Sequence, residues 1–136
     1  MIFEVKFPIL GFEDTTKVEL EKMYDCFARL KSVDGRGFTF TMLNPYAICK
    51  EYEFDMPLSY KALLEVTASS NIEIYNILIL NKSVEESTIN MLAPVILNHD
   101  NNTMAQIILD PTQYPFYHPT EKIKNFLQQN MNELKQ

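Results

Sequence analysis

The sequence has no Trp, three Gly, two His and two Cys, and its twelve Lys and Arg face eighteen Asp and Glu. Each shortage excludes something. So few glycines leave no Gly-rich phosphate loop, and each one is expected to mark a particular turn. His99 and His118 have no partner at HExxH spacing, and Cys26 and Cys49 form no CxxC pair. Nothing local activates either thiol, and no GxSxG or kinase-type signature occurs. The expected catalytic, metal and cofactor residues are therefore none. The net charge of −6 argues against direct nucleic-acid binding, which needs a basic stripe, and fits a basic protein partner better. No apolar run approaches the roughly 20 residues of a membrane span. "MIFEVKFPILGF" carries Glu4 and no basic start, so it does not read as a signal peptide. The expected location is the cytoplasm, away from the membrane, with both thiols reduced.

What the chain does hold is strand. Its 136 residues, 46% of them hydrophobic, suffice for one buried core, and nine Phe with seven Tyr suit aromatic cross-strand pairs. "IFEVKF" alternates, with Phe3, Val5 and Phe7 on one side, and Pro8 and Gly11 end it. Residues 17–33 are ambiguous, because Leu20, Met23, Tyr24, Phe27 and Leu30 also have helical spacing. Asp34-Gly35 decides for strands: it signals a hairpin turn, and a hairpin needs a strand on each side, here 27–33 and 38–43. A strand is expected over 17–23, a short one in "EYEFDMP", and a central one in "IEIYNILIL". "MLAPVILNHDNNTMAQIIL" reads as a hairpin of 95–98 with 104–109 around "HDNNT". Ser59 is expected to cap a short helix through "YKALLEV". Thr120 is expected to cap a C-terminal helix with an apolar stripe of Ile123, Phe126, Leu127, Met131 and Leu134, and with Lys135 near its negative end. That stripe either packs on the rest or faces a partner.

The fold class is thus mainly β: a small antiparallel barrel-like domain over 1–119, one short internal helix, and an amphipathic helical tail over 120–136. In an extended segment residues i and i+2 share a face, so Glu51, Glu53 and Asp55 line up as an acidic stripe. As a hydrolytic or metal site they would have to converge with His99 or His118; as a recognition surface they need only be exposed.

"PILGFED" (8–14), "LNPYAI" (43–48), "YEFDMP" (52–57), "STINMLAPVILN" (87–98), "AQIIL" (105–109) and "YPFYHP" (114–119) occur in that order. Together they resemble FliW, the bacterial flagellar assembly factor, over residues 1 to about 119. The resemblance implies a non-enzymatic binding protein, a monomer when free, with two protein partners: flagellin, and CsrA, the regulator that represses flagellin translation. It implies that accumulated flagellin occupies the protein and leaves CsrA free to repress, and that export of flagellin reverses this. A flagellin-specific chaperone without a CsrA role is the alternative. For CsrA the expected contacts are the acidic residues Glu13, Asp14, Glu51, Glu53 and Asp55; for flagellin, an apolar patch including Tyr46 or Phe116. Tyr117, and Asn98 and Asn102 at the hairpin tip, complete the candidates. Two departures stand out. Of the family's Gly-x-Pro-Gly-Phe-Glu only Gly11, Phe12 and Glu13 remain, and Tyr117 stands where many members carry Arg.

Overall fold

The structure is a computed structural model that describes the backbone of residues 1–134 and the side chains of residues 1–128. Lys135 and the side chains of Met131 and Leu134 lie outside the described residues. Nine strands form: β1 (Ile2–Phe7), β2 (Lys17–Lys22), β3 (Phe27–Ser32), β4 (Thr39–Leu43), β5 (Ile72–Ile79), β6 (Thr88–Ile89), β7 (Val95–Asn98), β8 (Thr103–Gln106) and β9 (Glu121–Lys122). Among the described residues the other elements are a 3₁₀ turn (Pro45–Ala47) and the helices α1 (Leu58–Leu64) and α2 (Ile123–Leu134). Seven strands close a barrel in the order β4-β3-β2-β1-β8-β7-β5, and β5 returns to β4 through Met42↔Ile77 and Leu43↔Asn76. All its seams are antiparallel except β1–β8, which is parallel. Those two strands are not joined by a tight turn, so nothing in the connection forces them to run oppositely.

Alternation, not helical spacing, decided residues 17–32. Val18, Leu20, Ala28 and Leu30 fill the barrel, while Glu21 faces Arg29 and Lys31 across the outer side at 3.8 and 3.6 Å. Met23 and Tyr24 fall in the exposed turn where Asp25 takes φ 53°. At the next turn Gly35 adopts φ 75°, and a Cβ there would stand 2.9 Å from Thr15 Oγ1. Asp34 does a different job from the one a two-residue hairpin assigns it. Its carboxylate accepts from the Thr16 and Lys17 N–H groups and from the Thr16 hydroxyl, tying this turn to the β1–β2 loop.

β7 and β8 are buried on both faces, which is why "PVIL" and "MAQI" show little alternation. Val95, Leu97 and Met104 point into the barrel, and Ile96 and Ala105 pack outward with Leu64 of α1. The ladder ends at Gln106 rather than 109. Beyond it the chain still runs beside 92–94, with Ile107 N–H on Pro94 O and Leu109 N–H on Leu92 O. A second outer cluster joins Leu78, Ile89 and Met91 to Ile123 of α2, with Phe126 packed against it and Leu127 partly exposed.

Three local expectations need correction. The "EYEFDMP" segment is extended but belongs to no sheet; its hydrogen bonds go elsewhere, as described below. α1 starts after Pro57, whose fixed φ suits a helix entry, so Ser59 lies inside the helix rather than at its cap. Residues Glu121 and Lys122 pair with β6 first, so α2 begins at Ile123 and Thr120 does not cap it.

Candidate partner-binding site

The residues of 51–57 keep their strand-like alternation without a strand partner. Tyr52 is buried and Phe54 half-buried, while Glu51, Glu53 and Asp55 point to solvent. The backbone is held instead by two tyrosines of the 114–120 strap. Tyr117 OH accepts from Glu53 N–H and donates to Glu53 O, both at 3.0 Å, and Tyr114 OH accepts from Asp55 N–H at 2.9 Å. The two rings stack with centroids 5.8 Å apart. Beneath them Tyr52 donates to Met91 O at 2.8 Å and accepts from Asn76 Nδ2 at 3.2 Å. Burial pushes the Tyr52 phenol well above its ordinary pKa, so it stays a neutral donor. Its ring contacts those of Tyr46 and Tyr117, at 6.0 and 4.8 Å. Tyr46 is 40% exposed, and Phe116, beside Tyr117 in the chain, is 87% exposed.

Six of the ten candidate residues thus lie on the 51–55 segment, on the strap that holds it or against its Tyr52: Tyr46, Glu51, Glu53, Asp55, Phe116 and Tyr117. The others do not join them. Glu13 and Asp14 sit in the β1–β2 loop, where the Glu13 carboxylate accepts from Gly11 N–H and is held below its usual pKa mainly by that bond. Asn98, expected exposed, is buried: its Nδ2 donates to Leu64 O and its Oδ1 accepts from Asp100 N–H, fixing α1 against the hairpin. Asn102 does stand exposed at the tip, at φ 56°.

Sequence reading missed a second feature, an apolar groove of about 360 Å³ at one end of the barrel. It is lined by Ile9, Phe40, Ile77, Ile79, Gln106 and Ile108 among others, and Leu10, Ile79 and Ile108 on its rim are more than half exposed. Ile79 shares the inward parity of Tyr75 and Ile77, and Ile108 that of Met104 and Gln106, so both extend the barrel lining past its filled core. The apolar doublets Ile79-Leu80 and Ile107-Ile108 were the available signal, because two adjacent apolar residues at a strand end place one on each face. Pro119 and Thr120 line the groove too, so the 114–120 strap runs from the acidic face to it.

Among the described residues no side-chain hydrogen bond or ion pair joins Glu51, Glu53 or Asp55 to His99 or His118. His99 Nε2 instead meets Glu73 Oε1 at 2.7 Å, and Glu73 also bonds Lys22 and the Tyr75 hydroxyl. Among the described residues no three His, Cys, Asp or Glu group to hold a metal ion. No helix among them is long and apolar enough to cross a membrane. Cys26 and Cys49 are both free.

Glu73 has a stability role that pH exposes. Burial alone would raise its pKa, but the bonds from Lys22, His99 and Tyr75 outweigh it and the net shift is downward from 4.5. A depressed folded pKa contributes stability above the unfolded value, and that contribution is lost as pH falls through the folded value. Glu73→Gln is therefore expected to lower the urea midpoint at neutral pH and to flatten its decline below about pH 4.5. Parallel acid limbs for the two proteins would contradict this.

The family model for FliW protein matches residues 1–120 of the chain. The chain belongs to the FliW family. The Campylobacter lari flagellar assembly factor FliW is 46% identical over 129 residues, covering 95% of this chain and 98% of the relative. The Wolinella succinogenes flagellar assembly factor FliW 2 is 44% identical over 126 residues, with 93% and 92% covered. A crystal structure of the flagellar assembly factor FliW superposes with a TM-score of 0.80 at 24% identity, over 90% of this chain and 84% of that one, and shares the FliW fold. Both FliW relatives are named as assembly factors rather than enzymes.

Proposed function

We propose that this chain binds flagellin and antagonises CsrA by partner switching in the cytoplasm, coupling flagellin synthesis to export. The observation that carries the reading is the pairing of two exposed surfaces of unlike chemistry. The stripe of Glu51, Glu53 and Asp55 suits a basic partner, and CsrA binds RNA through basic surface; Tyr46 and Phe116, expected from the sequence to meet flagellin, lie beside the stripe with Tyr117 and are reassigned to this surface. Aromatic groups within such a rim supply buried area that charge alone does not. The apolar groove at the barrel end suits apolar side chains of flagellin. The 114–120 strap borders both surfaces, and we take it as the element through which one partner excludes the other, so that each lowers the free protein available to the other by mass action.

The test is complex formation with each purified partner, followed by gel filtration. Two binary complexes are expected. A complex with flagellin alone reduces the protein to a chaperone, and complexes with neither overturn the reading.

A further inference from the structure

The groove is bordered by an unpaired backbone edge. Among the described residues β4 and β5 join only through Met42↔Ile77 and Leu43↔Asn76, and Thr39 to Thr41 have no partner strand on that side. Which groups face outward follows from the β3–β4 ladder. Ser32 N–H bonds Phe38 O, and Asn44 N–H bonds Cys26 O, so residues 38, 40, 42 and 44 turn their backbone groups toward β3. Successive residues of a strand alternate, so Thr39 and Thr41 turn theirs away from β3, toward the open seam. On the far side Ile77 O accepts from Asn90 N–H, which by the same alternation turns Leu78 and Leu80 toward the seam. Phe40 of this edge and Ile77 and Ile79 opposite line the groove itself.

An open edge beside an apolar groove is the arrangement that accepts an added strand: main-chain bonds hold the segment, and alternate side chains enter the groove. A helix would satisfy the groove but leave Thr39 and Thr41 unpaired. We infer that the groove captures an extended segment of flagellin, added as a strand along the free edge of β4, with apolar side chains at i and i+2 seated against Phe40, Ile79 and Ile108.

This inference rests on flagellin being a partner, and the experiment separates the two. Amide exchange is measured by NMR on the whole protein, free and with flagellin, alongside the binding of Thr39→Pro, Ile79→Asp and Ile108→Asp. Thr39 is the first residue of β4 and its N–H faces away from β3, so proline there removes a seam donor while leaving the β3–β4 ladder intact. Exchange at Thr39 and Thr41 is expected to slow at least about tenfold in the complex, and each variant to bind flagellin roughly tenfold or more weakly. Weakened binding by the two aspartates with unchanged exchange at Thr39 and Thr41 overturns strand addition and leaves the groove as a side-chain site. Normal binding by both aspartates overturns the groove while flagellin remains a partner. No complex at all overturns this inference together with the flagellin reading.

Discussion

Ending the chain after Pro119 is expected to destabilise the barrel by about 4 kcal/mol or more, enough to leave a marginal domain largely unfolded. The cut removes Ile123, 1% exposed and packed with Leu78, Ile89 and Met91, together with the half-buried Phe126 and the β6–β9 pairing. Deleting one fully buried isoleucine side chain costs roughly 2–5 kcal/mol, and here the cut also exposes Leu78, Ile89 and Met91 to water. Urea unfolding of the shortened chain, followed by far-UV circular dichroism, checks this. A midpoint equal to that of the full chain would show that the tail is accessory and only rests on the barrel. Ile123→Ala in the full chain separates the core contact from the rest of the helix and is expected to give about half the effect or more.

Reversing the acidic stripe is expected to change association rather than folding. Glu51→Lys with Glu53→Lys should slow association with CsrA at low salt by about tenfold or more, and should flatten the dependence of that rate on salt. The fold tolerates the change because Glu53 is anchored through its backbone to Tyr117, not through its carboxylate. Both side chains stand in solvent, so their effect is long-ranged steering, which salt screens. Stopped-flow association across a salt series is the measurement. Equal rates for variant and parent at every salt concentration would remove the stripe from the interface.

Much of this fold could be read from the chain because its signals were local. Val18, Leu20, Ala28 and Leu30 alternate with charges, and Asp34-Gly35, the turn between β3 and β4, settled the competing helical spacing in favour of strands. What could not be read depends on partners distant in sequence. "EYEFDMP" looks like a strand because its side chains alternate, yet only the fold reveals that Tyr114 and Tyr117 take the bonds a neighbouring strand would have made. Asn98 looked like a turn residue at a polar tip, but Leu64, far back in the chain, needed its amide. The acidic face was legible as a stripe of like charges at i, i+2 and i+4. The groove was not, because it arises where β4 and β5 part, and no pattern within either strand records how far their pairing runs.

The two-surface account stands or falls on competition. Titration calorimetry with CsrA added to the preformed flagellin complex addresses it directly, with CsrA and flagellin each titrated alone as references. The account predicts that the protein binds each partner separately and that bound flagellin suppresses the CsrA heat to near zero, restored when flagellin is withheld. Undiminished CsrA binding to the flagellin complex would contradict partner switching.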